Sequence, residues 1–122
     1  TTAPLHKAAL SAAGFPYPGH TEALAELCGT TDYAMMLYVG AGPVDSPSGL
    51  AIVHVTLHTS LRQALHQIST GEIGSKCRLV HEFMQRLTGI PPRIGVCALN
   101  PHGGKSGLFG DGSFFQAATV SE

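Results

Sequence analysis

Charge is scarce in this chain. Of its 122 residues 12% are charged and 43% hydrophobic, and the net charge is −1. Surfaces of free-standing small domains usually carry roughly 25–35% charged residues, so part of this surface is expected to be covered by a partner. No basic run is present, which removes the electrostatic footprint of nucleic-acid binding. No apolar run reaches the roughly 20 residues that span a bilayer, so no membrane partner is expected. A G-x-G-x-x-G following a strand is also missing, and with it the dinucleotide fingerprint. The three cysteines, Cys28, Cys77 and Cys97, are odd in number and far apart in apolar segments. They read as reduced thiols of a cytoplasmic protein. The first residue is Thr and no signal peptide is visible, so the chain reads as cut from something longer, or processed.

What remains is a length sufficient for one small domain with a core and an alternation of helix and strand patterns. Residues 4–13 read as a short helix ended by Gly14, followed by a rigid "FPYPGH" loop in which Pro16 and Pro18 block helix. Thr21 is placed to cap a helix running to about Cys28, with Gly29 as its stop. "YAMMLYV" (33–39) and "LAIVHVTLH" (50–58) read as buried strands joined by a Gly-, Pro- and Ser-rich loop over 40–49. Helices are expected over 60–68 and 73–89, the second with Cys77, Val80, Met84 and Leu87 on one face. "RIGVCAL" (93–99) reads as a third strand. The class is α/β, with three or more strands alternating with helices in a single domain over 1–122.

Near the end of that pattern, "LNPHGGKSG" (99–107) poses a choice between a nucleotide loop and a metal loop. Gly104-Lys105-Ser106 resembles the tail of a P-loop, but Leu99 stands where the first P-loop glycine belongs. Three glycines in "GLFGDGS" then argue against the helix that must follow. A loop centred on His102 is the stronger reading. Seven histidines are present. His54 and His58 are four apart, but on a strand that spacing is ~13 Å at ~3.3 Å per residue, too far to share an ion. His58, at the expected carboxyl end of its strand, is the better ligand candidate, since ligands gather there in open α/β sheets. His54 reads as a core or near-site residue, and His66 and His81 as ordinary helix-face residues. His20 and Thr21 precede a helix whose N-terminal N–H groups favour a phosphate or carboxylate.

Four segments in order, "TAPLHKAALSAAGFPYPGHTEALAELCGT", "AMML", "TLHTSLRQAL" and "PRIGVCALNPHGGKSGLFGD", resemble the central part of the 4-hydroxythreonine-4-phosphate dehydrogenases of vitamin B6 biosynthesis, over about residues 1–112. The resemblance implies a fold like the central, dimerising domain of isocitrate and isopropylmalate dehydrogenases, and a homodimer. It also implies a divalent metal (Zn, Co, Ni, Mg or Mn), NAD or NADP, and oxidation of a phosphorylated secondary alcohol to a ketone that loses carbon dioxide. Carried over by motif, His20 and Thr21 bind substrate, and His58 and His102 are metal ligands. The sequence departs from the family in three ways. The family's third metal histidine, in a "YHDQG"-like motif, and the groups holding the substrate phosphate do not occur in these 122 residues. Lys105-Ser106 bring a positive charge where a carboxylate is usual, and 112–122 diverge as a tail. The cofactor site is expected to be absent from this segment. Two functions are therefore weighed: the central domain of a dehydrogenase, active when the rest is supplied, and a stand-alone metal-dependent hydrolase or non-catalytic metal- and anion-binding dimer.

Overall fold

A computed structural model describes Pro4 and residues 6–100. The loop around His102, Lys105 and the 112–122 tail lie outside the described residues. The element order is α1 (Lys7–Ala12), α2 (His20–Leu27), β1 (Met36–Val39), β2 (Leu50–Val53), α3 (Leu61–Gln67) and α4 (Thr70–Thr88). The chain is therefore α/β, with four helices and a two-stranded sheet among the described residues.

The helix ends follow local chemistry. Glycines in the left-handed region stop three of the four helices: Gly14 at φ 84°, Gly29 at φ 63° and Gly89 at φ 71°. After α1 the N–H groups of Gly14 and Phe15 donate to the carbonyls of Ser11 and Leu10, and after α2 those of Gly29 and Thr30 donate to Glu26 and Ala25. Both are Schellman closures, which satisfy carbonyls the helix leaves unpaired. Three of the four starts are capped by side chains, α1 by His6 Nδ1, which accepts from the Ala9 N–H. Ser60 Oγ accepts from the Gln63 N–H at 3.3 Å, and Ser69 Oγ accepts from the Glu72 N–H at 3.2 Å. Their S-x-x-Q and S-x-x-E spacings are capping-box patterns. Ser69 carries α4 three residues further toward the N-terminus than the sequence pattern suggests. At α2 the expected cap is corrected: the N-cap is Gly19, which has no side chain to bond with, and Thr21 lies inside the first turn.

The strands depart furthest from expectation. β1 and β2 form an antiparallel hairpin in the register Met36↔Val53, Leu37↔Ile52, Tyr38↔Ala51 and Val39↔Leu50. The backbone pairing closes with the bond from the His54 N–H to Met35 O, so residues 54–58 are not strand and the ladder spacing assumed between His54 and His58 does not apply. Directly opposed residues share a face of the sheet. One face is therefore Leu37, Val39, Leu50 and Ile52, and all four are exposed, at 59, 43, 51 and 54%. The expectation of buried strands is overturned, because among the described residues no helix or further strand lies over that face. Residues 93–99 form no strand. Their exposure still alternates, with Ile94 and Val96 half-buried and Arg93, Gly95 and Cys97 exposed. The period-two pattern is present, but a strand also needs a neighbour to take its N–H and C=O groups, and none of the described residues provides one.

Among the described residues the buried apolar side chains are Ala25 on α2 and Met84 on α4. Met84 lies on the apolar face expected for α4, on which Cys77 and Val80 are half-buried while Leu87 is exposed. With so small a core, polar ties hold distant segments together. Lys76 on α4 donates to Tyr33 O at 2.7 Å and to Asp32 Oδ1 at 3.4 Å, with its ammonium 5.8 Å from the centre of the Tyr33 ring.

Two substitutions test this description. In Gly49→Ala, at φ 73° the new Cβ would collide with Val39 O and stand 3.0 Å from Tyr38 Cε2 and Oη. Left-handed strain and the clash together should cost at least ~2 kcal/mol, read as a lower urea midpoint. Lys76→Met should cost about 1–2 kcal/mol, because the Tyr33 carbonyl contact is shielded, whereas Asp32→Ala should change stability by less than about 0.5 kcal/mol because that carboxylate is half exposed.

Candidate functional site

The first turn of α2 carries His20, Thr21 and Glu22 in sequence. Gly19, immediately before it, is buried in extended conformation and makes no side-chain cap. Gly19 thus gives the leading N–H groups of the helix no side-chain partner, and the Glu22 carboxylate, which accepts from its own backbone N–H, is the negative group at this end. Glycine at position 19 also permits a close approach. A Cβ there would lie 3.3 Å from both Glu22 Oε2 and His58 Cε1.

His58 reaches this turn from the loop that follows β2, not from a strand end as the sequence pattern suggested. Its backbone adopts φ 45°, and it is the single non-glycine residue with positive φ among the described residues. Left-handed backbone is unfavourable for residues bearing a Cβ, and such outliers concentrate at functional sites. The ring closes the gap to α2, with His58 Nδ1 3.2 Å from Glu22 Oε1. The side chains are 34% and 17% exposed. The second carboxylate oxygen, Oε2, is buried without a hydrogen-bond partner. Burial pushes the Glu22 carboxyl up. The hydrogen bonds from its own backbone N–H and from His58, with the charges of His58 and Lys7, outweigh that and bring it below its ordinary value.

Of the four residues singled out in the sequence, His20, Thr21 and His58 are thus brought to one place by the packing of His58 on the α2 turn. His102 lies outside the described residues. Glu22 was not singled out, although an acidic residue in the first turn of a helix, directly after His-Thr, is the signal that would have found it. His54 lies on neither the core nor this contact. It lines a cleft of about 460 Å³ together with Glu22, Thr31, Tyr33, Glu72 and Lys76, so Glu22 stands between that cleft and His58. His66 is exposed on α3 and His81 half-buried on α4. All three cysteines are free.

The donor set suits a divalent metal in part. Among the described residues no group of three or more His, Cys, Asp and Glu is gathered closely enough to hold an ion. His58, however, has one ring nitrogen engaged by a carboxylate and the other available, which is the arrangement in which metal-binding histidines are oriented. Among the described residues a single carboxylate-oriented imidazole is thus the feature a metal could use.

The family model of the pyridoxal phosphate biosynthetic protein PdxA matches residues 1–113. A D-threonate 4-phosphate dehydrogenase of Salmonella typhimurium is 44% identical over 90% of this chain, and a 4-hydroxythreonine-4-phosphate dehydrogenase of Beijerinckia indica is 46% identical over 90%. The chain spans 31% and 30% of the length of those two relatives. The crystal structure of a 4-hydroxythreonine-4-phosphate dehydrogenase from Klebsiella pneumoniae superposes with a TM-score of 0.73 at 47% identity, covering 89% of this chain and 31% of that one. At that coverage the conclusion concerns lineage: the chain belongs to the pyridoxal phosphate biosynthetic protein PdxA family.

Proposed function

We propose that the 122 residues are the metal- and substrate-binding central domain of an NAD(P)-dependent dehydrogenase acting on a 4-phosphorylated hydroxy acid, in the cytoplasm, with the 112–122 tail apart from the family pattern. The observation that carries this reading is the convergence of His58 on the α2 turn bearing His20 and Thr21, in a chain whose relatives are named as dehydrogenases of such phosphates. The named relatives give no support to hydrolysis. They bear two substrate names, which differ chemically at C2: a hydroxyl in D-threonate 4-phosphate and an amine in 4-hydroxythreonine-4-phosphate. Both offer a carboxylate, a phosphate and a secondary alcohol at C3.

The roles follow from the side chains. The uncapped N-terminus of α2, with the His20 ring and Thr21 hydroxyl, would receive an anionic group of the substrate. His58 and His102 would be imidazole ligands, a set that suits Zn, Co or Ni and is met less readily by Mg or Mn. A metal held by these imidazoles would supply Lewis-acid polarisation of the substrate's alcohol, and a nicotinamide bound by the rest of the enzyme would supply the hydride acceptor. Oxidation at C3 would leave a ketone β to the carboxylate, the arrangement from which carbon dioxide can be lost. The fold would be that of the central domain of isocitrate dehydrogenase-like enzymes. Its exposed face of Leu37, Val39, Leu50 and Ile52 would be covered by a second copy, since a contiguous apolar face of this kind is a solubility liability on a monomer.

Replacing the corresponding segment of the Salmonella typhimurium relative with this chain tests the function. A folded chimera should reduce NAD or NADP with one of the two phosphates, and a folded chimera inert toward both contradicts the reading. The isolated chain should take up zinc or cobalt, and the double variant His58→Ala/His102→Ala should lose that uptake while His66→Ala keeps it. Calorimetry should detect no NAD or NADP binding to the isolated chain at millimolar concentration, and micromolar affinity would show that the cofactor site lies within these residues. In the ultracentrifuge the chain should sediment as two copies of 12.7 kDa, with or without chelator, and Leu37→Lys/Ile52→Lys should reduce it to one.

A further inference from the structure

Glu22 has no role in the reading given so far, yet it makes the side-chain contact that joins α2 to the loop after β2. Its Oε1 lies 3.2 Å from His58 Nδ1, and its Oε2 is buried and unpartnered. The approach is sterically prepared, because Gly19 leaves a gap in which even a methyl group would press on both Glu22 Oε2 and His58 Cε1 at 3.3 Å. The left-handed backbone at His58 turns the residue toward α2 at a conformational cost. An ionised carboxylate only accepts hydrogen bonds, so a neutral His58 that bonds to it must carry its proton on Nδ1. The lone pair is then on Nε2. Isolated imidazoles carry no such fixed choice, and the hydrogen bond made by one nitrogen decides what the other can do.

We infer that Glu22 is a positioning residue that holds His58 as the Nδ1–H tautomer and presents Nε2 as the metal-binding atom. In this role Glu22 acts through the ring of His58. The inference rests on the reading of His58 as a metal ligand and adds to it which nitrogen binds and what fixes that choice. It also gives a reason for Gly19, which keeps the carboxylate and the ring within hydrogen-bonding distance.

The test has two parts. Long-range ¹H–¹⁵N spectra of the metal-free 122-residue chain report the tautomer of each histidine without any substitution. His58 should be protonated at Nδ1, and a His58 protonated at Nε2 overturns the inference by itself, leaving the dehydrogenase reading untouched. Zinc or cobalt titration then compares variants of the same chain. Glu22→Ala should release the ring to a mixture of tautomers and weaken metal binding about 10- to 100-fold. Glu22→Gln, whose amide oxygen can still accept from Nδ1–H, should keep the tautomer and lose less affinity. A folded Glu22→Ala chain with wild-type tautomer and affinity overturns the inference. A His58→Ala chain that binds metal as tightly as wild type instead removes the underlying reading, and the inference with it.

Discussion

The contact between Glu22 and His58 is the constraint on which the arrangement of this chain turns. A chain whose described residues bury only Ala25 and Met84 among their apolar side chains cannot rely on a packed interior to fix its segments. Hydrophobic burial stabilises in proportion to area but has no direction. A hydrogen bond between a carboxylate and a ring has one, and it sets the loop after β2 against the start of α2. The Lys76 contacts with Tyr33 and Asp32 do the same for α4 and the segment before β1. These two ties, made by residues 36 to 44 positions apart, join α2 and α4 to the segments that flank the hairpin.

The helices were legible in the sequence because their signals are local. Gly14 and Gly29 mark helix ends by their own conformational freedom, while the start of α4 was missed because the Ser69 cap precedes the apolar pattern by a full turn. The strands were legible only as pattern. "RIGVCAL" has the alternation of a strand and "YAMMLYV" the composition of a buried one, but strand formation and burial both depend on neighbours that local sequence does not specify. His20, Thr21 and His58 were picked from local pattern, and the structure sets His58 against the α2 turn that carries the other two. His58 was reached through a strand that ends five residues too early, so the strand-end placement expected for it does not hold. Glu22 escaped because its significance lies in a residue 36 positions away, and the left-handed turn at His58 escaped because nothing in "TLHTS" requires it.

The family membership and the local geometry bear on different questions. Identity of 44–47% over nine-tenths of this chain settles its lineage, while the chain spans under a third of those relatives. The chemistry therefore has to be argued from what these residues can hold. They offer an imidazole with a carboxylate behind it, beside a helix start that carries His20 and Thr21. The hydride acceptor is a separate matter, for which the segment has no dinucleotide fingerprint.

The central claim is that this segment supplies imidazole nitrogen to a divalent ion. X-ray absorption at the metal edge of the cobalt- or zinc-loaded protein examines it directly. The account predicts nitrogen scatterers at about 2.0–2.1 Å for zinc, with the outer-shell pattern of at least two imidazole rings. A first shell made of oxygen alone, with no imidazole signature, would contradict it.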